Sequence, residues 1–382
     1  MQTRPDRKKP DHKKRWVIKV GSALITADST GLNLDNIHQW SRQIVTLMDD
    51  NVELVLVSSG SIAEGIHRLQ WTARPTALHE LQAAAAVGQT GLVKAYESEL
   101  STHGRHTAQI LLTHDDLSHR KRYLNAKSTL GTLLSLGVLP VINENDTVTT
   151  DEIRVGDNDN LAALVANLIS ADQLIILTDQ QGLFDKDPSK HKDAKLITTA
   201  TAGDPELLKV AGPSANKFAI GGMQTKILAA ERAARSGTHT VIASGREPDV
   251  LLRLYRGESV GTRLHATHKK LVAHKMWLAN QLKARGTVRV DSGAFARLEE
   301  GDCSLLPIGV TGIEGEFRRG ELVSICSEDG REVARGLVNY NASEAALLAG
   351  CRSDKIIERL GYVNEPELVN RDNMVAIDAG HH

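Results

Sequence analysis

The chain has 382 residues, 46 basic and 47 acidic side chains and a formal charge of −1, so no global basic field marks it as a nucleic-acid-coating protein. No apolar stretch approaches the ~20 residues of a membrane span, and the length leaves room for one large domain plus a smaller one. The three cysteines, Cys303, Cys326 and Cys351, are odd in number and far apart, which argues against a disulfide frame or a cysteine metal cluster and for a reducing, cytoplasmic setting.

From the N-terminus, "MQTRPDRKKPDHKKR" is densely basic with no apolar core behind it, so residues 1–15 are expected to form a disordered tail rather than a secretion signal. "WVIKV" (16–20) reads as a buried strand. Further strands are expected at "VELVLVSS" (52–59), "AQILL" (108–112), "VLPVI" (138–142), "DQLIILT" (172–178) and "THTVIAS" (238–244). Helical spacing falls at 35–50, 76–101, 120–136, 159–170 and 223–236. This alternation predicts an α/β domain over 16–260, with three α/β/α layers around a mostly parallel sheet. After about residue 260 the runs shorten and glycine punctuates them. Residues 261–283 are expected to be a partly helical connection. Residues 284–370 are expected to be a small β-rich domain with strands at "TVRV", "ELVSIC" and "REVARGLVNY".

Ligands in such sheets gather beyond the carboxyl ends of the strands, and the chemistry-bearing residues fall there. Lys19 lies inside an apolar strand, where an unpaired ammonium is destabilising, with Gly21 and Ser22 directly after it. A phosphate site fits, and so does a lysine snorkelling from an edge strand. Neither GxxxxGK[ST] nor GxGxxG occurs. "VLVSSGSIAEG" puts Ser58, Ser59, Gly60 and Ser61 at a helix start, suited to an anion or to a plain cap. "VINENDTVTTDEIRVGDNDN" (141–160) mixes Glu144, Asp146, Asp151, Glu152, Asp157 and Asp159 with Asn143, Asn145, Asn158 and Asn160. That is a solvated loop or a cradle for a small zwitterion, with Asp151 and Glu152 expected to face water. "LTDQQGLFDKDP" (177–188) sets Thr178 and Asp179 at a strand exit, on a turn for a nucleotide or for solvent. "AIGGMQTKILAAERAARSG" (219–237) opens a helix with Gly221 and Gly222, followed by Met223, Gln224, Thr225 and Lys226. A phosphate at that positive helix end fits, as does a glycine turn before an amphipathic helix.

Taken in order, "VIKVGSALIT", "VSSGSIAEG", "AAAAVGQTGL", "VINENDTV", "VGDNDNLAALVA", "LTDQQGLFDKDP" and "GGMQTK" resemble the amino acid kinase family. The likeness is strongest to its glutamate 5-kinases with a C-terminal PUA domain and covers roughly residues 15–370. "INEND" with "VGDNDN" is its most specific part, favouring glutamate over an aspartate, acetylglutamate, carbamate or uridylate substrate. The resemblance implies the amino acid kinase fold and transfer of phosphate from ATP, with Mg²⁺, to the γ-carboxylate of L-glutamate, the first step of proline biosynthesis. It implies that Lys19 and Lys226 contact the ATP phosphates and the moving phosphoryl group, and that Asp159 orients the lysines or the metal. Ser59, Asn143, Asp146, Asp157 and Asn158 would bind glutamate. Gly21, Thr178, Asp179, Gly221, Gly222, Met223, Gln224 and Thr225 would hold ATP with the two lysines. No metal ligands are assigned. Proline as a feedback inhibitor, a reductase as consumer of the product, and a homo-oligomer (dimer or tetramer) are implied as well. Ile220 stands where the family has a small hydroxyl residue, which removes one phosphate donor. The runner-up within the class is an N-acetylglutamate or aspartate kinase.

These residue types suit the chemistry. A carboxylate nucleophile, with a pKa of about 4, is ionised at neutral pH and needs no general base. The obstacle is an anion attacking a polyanion, which positioned positive charge relieves. Asp146 and Asp157 can pair with the substrate ammonium, while Asn143 and Asn158 can donate to carboxylate oxygens. The rival class is an RNA-binding protein, through Arg285, Arg289, Arg318, Arg319 and Arg331 of the PUA-like tail. Glu299, Glu300, Asp302, Glu314, Glu316, Glu321, Glu328 and Asp329 dilute those charges, so a solvated mixed-charge surface without RNA is expected.

Overall fold

Apolar runs that do not alternate make strands covered on both faces, and the first two-thirds of the chain folds this way. The structure, a computed structural model, describes residues 13–27, 31–148, 157–211, 222–267, 284–300 and 303–377. The expected tail, apart from residues 13–15, and residues 268–283 of the expected connection lie outside these. The chain divides into two units: residues up to 118 with 125–270, and residues 119–124 with 271 onward.

In the first unit the strands are β1 (Arg15–Val20), a short hairpin of β2 (Thr26–Ala27) and β3 (Gly31–Leu32), β4 (Glu53–Ser58), β5 (Thr107–Leu112), β6 (Leu139–Glu144), β7 (Gln173–Thr178), β8 (Thr199–Thr201), β9 (His239–Ser244) and β10 (Thr262–His265). Apart from the hairpin they form one eight-stranded sheet, in the order β5-β6-β4-β1-β7-β9-β10-β8. It is parallel from β5 through β9; β10 runs antiparallel to β9 and parallel to β8. The six expected strands are present within one or two residues of the predicted bounds. Thr262–His265, inside the segment expected to be a connection, instead close the sheet against β9 and β8.

The helices are α1 (Ser22–Ile25), α2 (Leu34–Asp49), α3 (Ser61–Arg68), α4 (Leu78–Ser101), α5 (His114–Ser118), α6 (Arg120–Ser135), α7 (Asp157–Leu168), α8 (Pro205–Val210), α9 (Met223–Ala234) and α10 (Val250–Tyr255). Side chains alternate across a strand. Trp16, Ile18 and Val20 of β1 join one core with Trp40 and Ile44 of α2, Leu92 and Tyr96 of α4, and Leu251 of α10. Lys19 therefore belongs to the opposite face, where α7 packs on β1 and α9 on β9. That parity decides which helices the lysine meets.

The second unit holds β11 (Gly286–Val290), β12 (Val310–Gly315), β13 (Leu322–Ser327), β14 (Glu332–Val338) and β15 (Val369–Ala376) in a sheet of order β12-β11-β13-β14-β15. Neighbours are antiparallel except β11 with β13. Val288, Val290, Val323, Ile325, Val338 and Tyr340 build its core. Arg289 is paired with Glu314 and Arg331 with Glu299, so acidic neighbours partly neutralise the basic residues of this unit. No helix among the described residues is long and apolar enough to cross a membrane.

Helices α3 and α4 approach backbone to backbone at two glycines. A Cβ on Gly65 would fall 1.7 Å from the Ala84 carbonyl oxygen, and one on Gly88 would fall 1.8 Å from that of Ser61. Backbone cannot yield as a flexible side chain can, so Gly88→Ala must part the helices. Its expected cost is about 1–3 kcal/mol or more, the range for overpacking a close contact. A fall in the thermal unfolding midpoint of the variant measures it.

Candidate active site

The carboxyl ends of neighbouring parallel strands bring the site residues together. Lys19 sits one residue before the end of β1, in register with Val57 of β4 and Ile176 of β7. It is only 4% exposed, and β1 is central, which rules out a lysine snorkelling from an edge. Its Nζ lies 2.5 Å from Oδ1 of Asp159, a residue of the first turn of α7 with no exposed surface. Lys226, in the first turn of α9 and 5% exposed, places its Nζ 3.1 Å from the other oxygen, Oδ2. Thr225 Oγ1 donates to the same Oδ2 at 2.7 Å. Two ammonium groups 207 positions apart in sequence thus share one buried carboxylate. Burial alone pushes Asp159 up, but Lys19 and Lys226, with the hydrogen bonds from Lys19 and Thr225, outweigh it and hold the carboxyl below its usual range. Burial, and then the nearby Lys226, bring Lys19 below the ordinary lysine value even though Asp159 opposes them.

One residue earlier on α7, Asn158 belongs to a second cluster. Its Nδ2 donates to Ser59 Oγ at 2.9 Å and to Asn143 Oδ1 at 3.0 Å. Asn143, buried near the end of β6, donates from its Nδ2 to Ser61 Oγ at 3.1 Å and to Gln89 Oε1 at 2.8 Å. The turn that supplies Ser59 and Ser61 depends on Gly60, whose φ of +102° is left-handed. No side chain caps α3 there, so the reading of "SSGS" as a plain cap fails. Consecutive residues, Asn158 and Asp159, tie the amide cluster to the lysine cluster.

Residues 14–244 match the model of the amino acid kinase family, and 286–360 match that of the PUA domain. The chain belongs to the amino acid kinase family. Within it, a glutamate 5-kinase of Pseudomonas syringae pv. syringae is 59% identical over 95% of this chain and 98% of that protein. A glutamate 5-kinase of Thioalkalivibrio sulfidiphilus is 58% identical over 95% of this chain and 97% of that protein. These relatives put the chain among the glutamate 5-kinases. In fold, it is similar to the carbamate kinase of Giardia lamblia bound to AMP-PNP, with a TM-score of 0.50 and 16% identity over 66% of this chain and 98% of that one.

Of the residues this kinase was expected to use, Lys19, Asp159, Thr225 and Lys226 form one group, and Ser59, Asn143 and Asn158 another. Gly21 follows β1, and its N–H donates to Leu177 O at 3.1 Å. Thr178 ends β7 and donates to Asp179 Oδ1 at 3.1 Å. Gly222 precedes α9, and Met223 and Gln224 are its first residues. Asp146 lies half-buried in the turn after β6. Asp157 is the first residue of α7, with its side chain outside the description; Asp151, Glu152, Ile220 and Gly221 fall outside the described residues altogether. Gln89 was not assigned from sequence, and Ser61 was read only as part of a helix start suited to an anion or a cap. The signal for Gln89 was a single amide in "AAAAVGQTGL".

Among the described residues no three His, Cys, Asp or Glu side chains are grouped to hold a metal, and Asp159 is already shared by Lys19, Lys226 and Thr225. This donor set fits Mg²⁺ that arrives on nucleotide phosphates, the usual arrangement for an ion that keeps much of its own shell.

Removing the shared carboxylate strands two buried ammonium groups. Asp159→Asn is expected to cost about 3–5 kcal/mol of stability near neutral pH, as when one partner of a buried pair is lost. Adding Lys19→Met should recover part of it, read as coupling in a double-mutant cycle. Because the folded-state pKa of Asp159 is depressed, its contribution is fully present above the unfolded carboxylate value of about 3.9. It is lost as pH falls through the lower folded value, so the gap between wild type and Asp159→Asn should close on acidification below pH ~4. Denaturation curves across that range check it.

Proposed function

We propose that this glutamate 5-kinase transfers the terminal phosphoryl group of ATP to the γ-carboxylate of L-glutamate through Lys19, Lys226 and Asp159, opening proline biosynthesis. The observation that carries the residue assignment is the convergence of Lys19 and Lys226 on one buried carboxylate beside the amide cluster. The substrate carboxylate is already ionised, so the chain need not remove a proton. What it must do is hold two anions in line. Lys19 and Lys226 contact the nucleotide phosphates and lower the energy of charge building on the transferring group. Asp159 keeps both ammonium groups aimed, with Thr225 bracing its second oxygen. Mg²⁺ supplies further charge neutralisation on the phosphates when the nucleotide is bound.

Ser59, Asn143, Asp146, Asp157 and Asn158 hold glutamate, and the two aspartates pair with its ammonium. Gly21, Thr178, Asp179 and the segment from Gly221 to Lys226 hold ATP, α9 presenting its N-terminal end to the phosphates. The kinase chemistry resides in residues 16–260. The PUA domain (284–370) has a structural or regulatory role rather than RNA binding, a reading supported by the pairing of Arg289 and Arg331 with Glu314 and Glu299. The product is an acyl phosphate, which hydrolyses readily, and this favours hand-off to a reductase. Inhibition by proline at or overlapping the glutamate pocket, a homo-oligomeric state and a cytoplasmic location complete the reading.

Trapping the product with hydroxylamine tests the substrate directly: hydroxamate should form with L-glutamate and not with aspartate or N-acetylglutamate. Reaction only with an N-acylated substrate would sink the assignment. Lys19→Ala and Lys226→Ala should each lower kcat by roughly 10²–10³, the usual loss for one charge-stabilising donor. Asp146→Ala should chiefly raise the KM for glutamate. Steady-state kinetics of purified variants decide these points, and wild-type turnover in both lysine variants would refute their roles.

A further inference from the structure

We infer that Gln89 is a positioning residue for the amino acid substrate: it sets the polarity of a three-amide relay so that the relay ends on an open acceptor for the substrate ammonium. This rests on glutamate being the substrate.

The three amides run head to tail. Asn158 Nδ2 donates to Asn143 Oδ1, and Asn143 Nδ2 donates to Gln89 Oε1. Both hydrogens of each asparagine amide are used, since Asn143 also donates to Ser61 and Asn158 also donates to Ser59. Gln89 Oε1 is the acceptor on which this direction depends. If the Asn143 amide turned over, its oxygen would face Gln89 Oε1 and its NH₂ would face the NH₂ of Asn158. Each like-to-like contact is unfavourable. Asn143 therefore follows the orientation of Gln89, on a helix pressed backbone to backbone against α3 at Gly88.

A head-to-tail chain leaves one open atom at each end. Here they are Gln89 Nε2 and Asn158 Oδ1, and both are buried with no hydrogen-bond partner among the described residues. A buried acceptor without a donor destabilises the protein until one arrives. Asn158 Oδ1 can only accept, and it sits one residue before the aspartate that holds both lysines. An ammonium, with three hydrogens and no lone pair, is the matching substrate group. Gln89 is 5% exposed and touches Asn143 rather than the reacting atoms, so its effect passes through Asn143 and Asn158.

The test compares wild type, Gln89→Met and Gln89→Glu as full chains, by steady-state kinetics and by calorimetric titration with glutamate. Glutarate, the same dicarboxylate without the ammonium, serves as competitive inhibitor. Gln89→Met keeps the side-chain length but removes the acceptor. It should raise the KM and Kd for glutamate about tenfold to a hundredfold, the effect of one lost buried partner, with kcat, the KM for ATP and the glutarate inhibition constant within about twofold. Gln89→Glu, which still offers Asn143 an acceptor oxygen, should return the glutamate KM to within about threefold of wild type. If Gln89→Met does not fold, Gln89→Ala replaces it in a helix already rich in alanine. Equal weakening for glutamate and glutarate, no change in either, or failure of Gln89→Glu to rescue overturns the relay. Wild type that binds glutamate without phosphorylating it overturns the reaction and leaves the titrations to decide the relay; wild type that does not bind glutamate overturns both.

Discussion

Three charged groups with almost no contact with water, Lys19, Asp159 and Lys226, form the constraint on which the first unit depends. Withdrawing any one of them from water alone would be strongly unfavourable; together, with Thr225 bonded to the carboxylate, they are tolerated. The set binds β1, α7 and α9, three elements distant in sequence, at one end of the sheet. It requires that β1 be central, that Lys19 fall on the α7 side of the pleat, and that α7 and α9 begin at the same level. A register slip of one residue in β1 would send Lys19 into the apolar core formed by Trp16, Ile18 and Val20 with α2 and α4.

The parts of this arrangement that were legible in the sequence are those that break a local rule. A lysine within "WVIKV" departs from the apolar pattern of a central strand, and amides with carboxylates between two apolar runs have no packing purpose. The central strands could be read because they are apolar throughout, and their alternation with helical spacing defined the layers. Gln89 escaped because its signal is inverted. A lone amide among alanines and glycines looks like the solvent-facing side of a helix, and only the contact of α3 with α4 turns it inward. Gly65 and Gly88 carry that information, yet a glycine in a helix has no visible purpose until the neighbouring helix is known. Thr262–His265 escaped for another reason. Four residues with three charged or polar side chains make no apolar run, and their pairing is dictated by β8 and β9 rather than by their own propensity.

The second unit was legible as a texture, short β-prone runs divided by glycine. Its charges were read as mixed, and the pairs Arg289–Glu314 and Arg331–Glu299 give that mixture a concrete form. Exposed pairs of this kind add little to stability. They do temper the positive field that a polyanion would need.

Asn158 and Asp159 are adjacent on the first turn of α7, and this has a mechanical consequence. One turn of helix holds their two Cα atoms at a fixed spacing, so the amide cluster and the carboxylate share one backbone support. A movement of α7's first turn carries the amide cluster and the Lys19–Asp159–Lys226 set together rather than separately. A single turn of helix is thus the pin that joins the amide cluster to the buried charges.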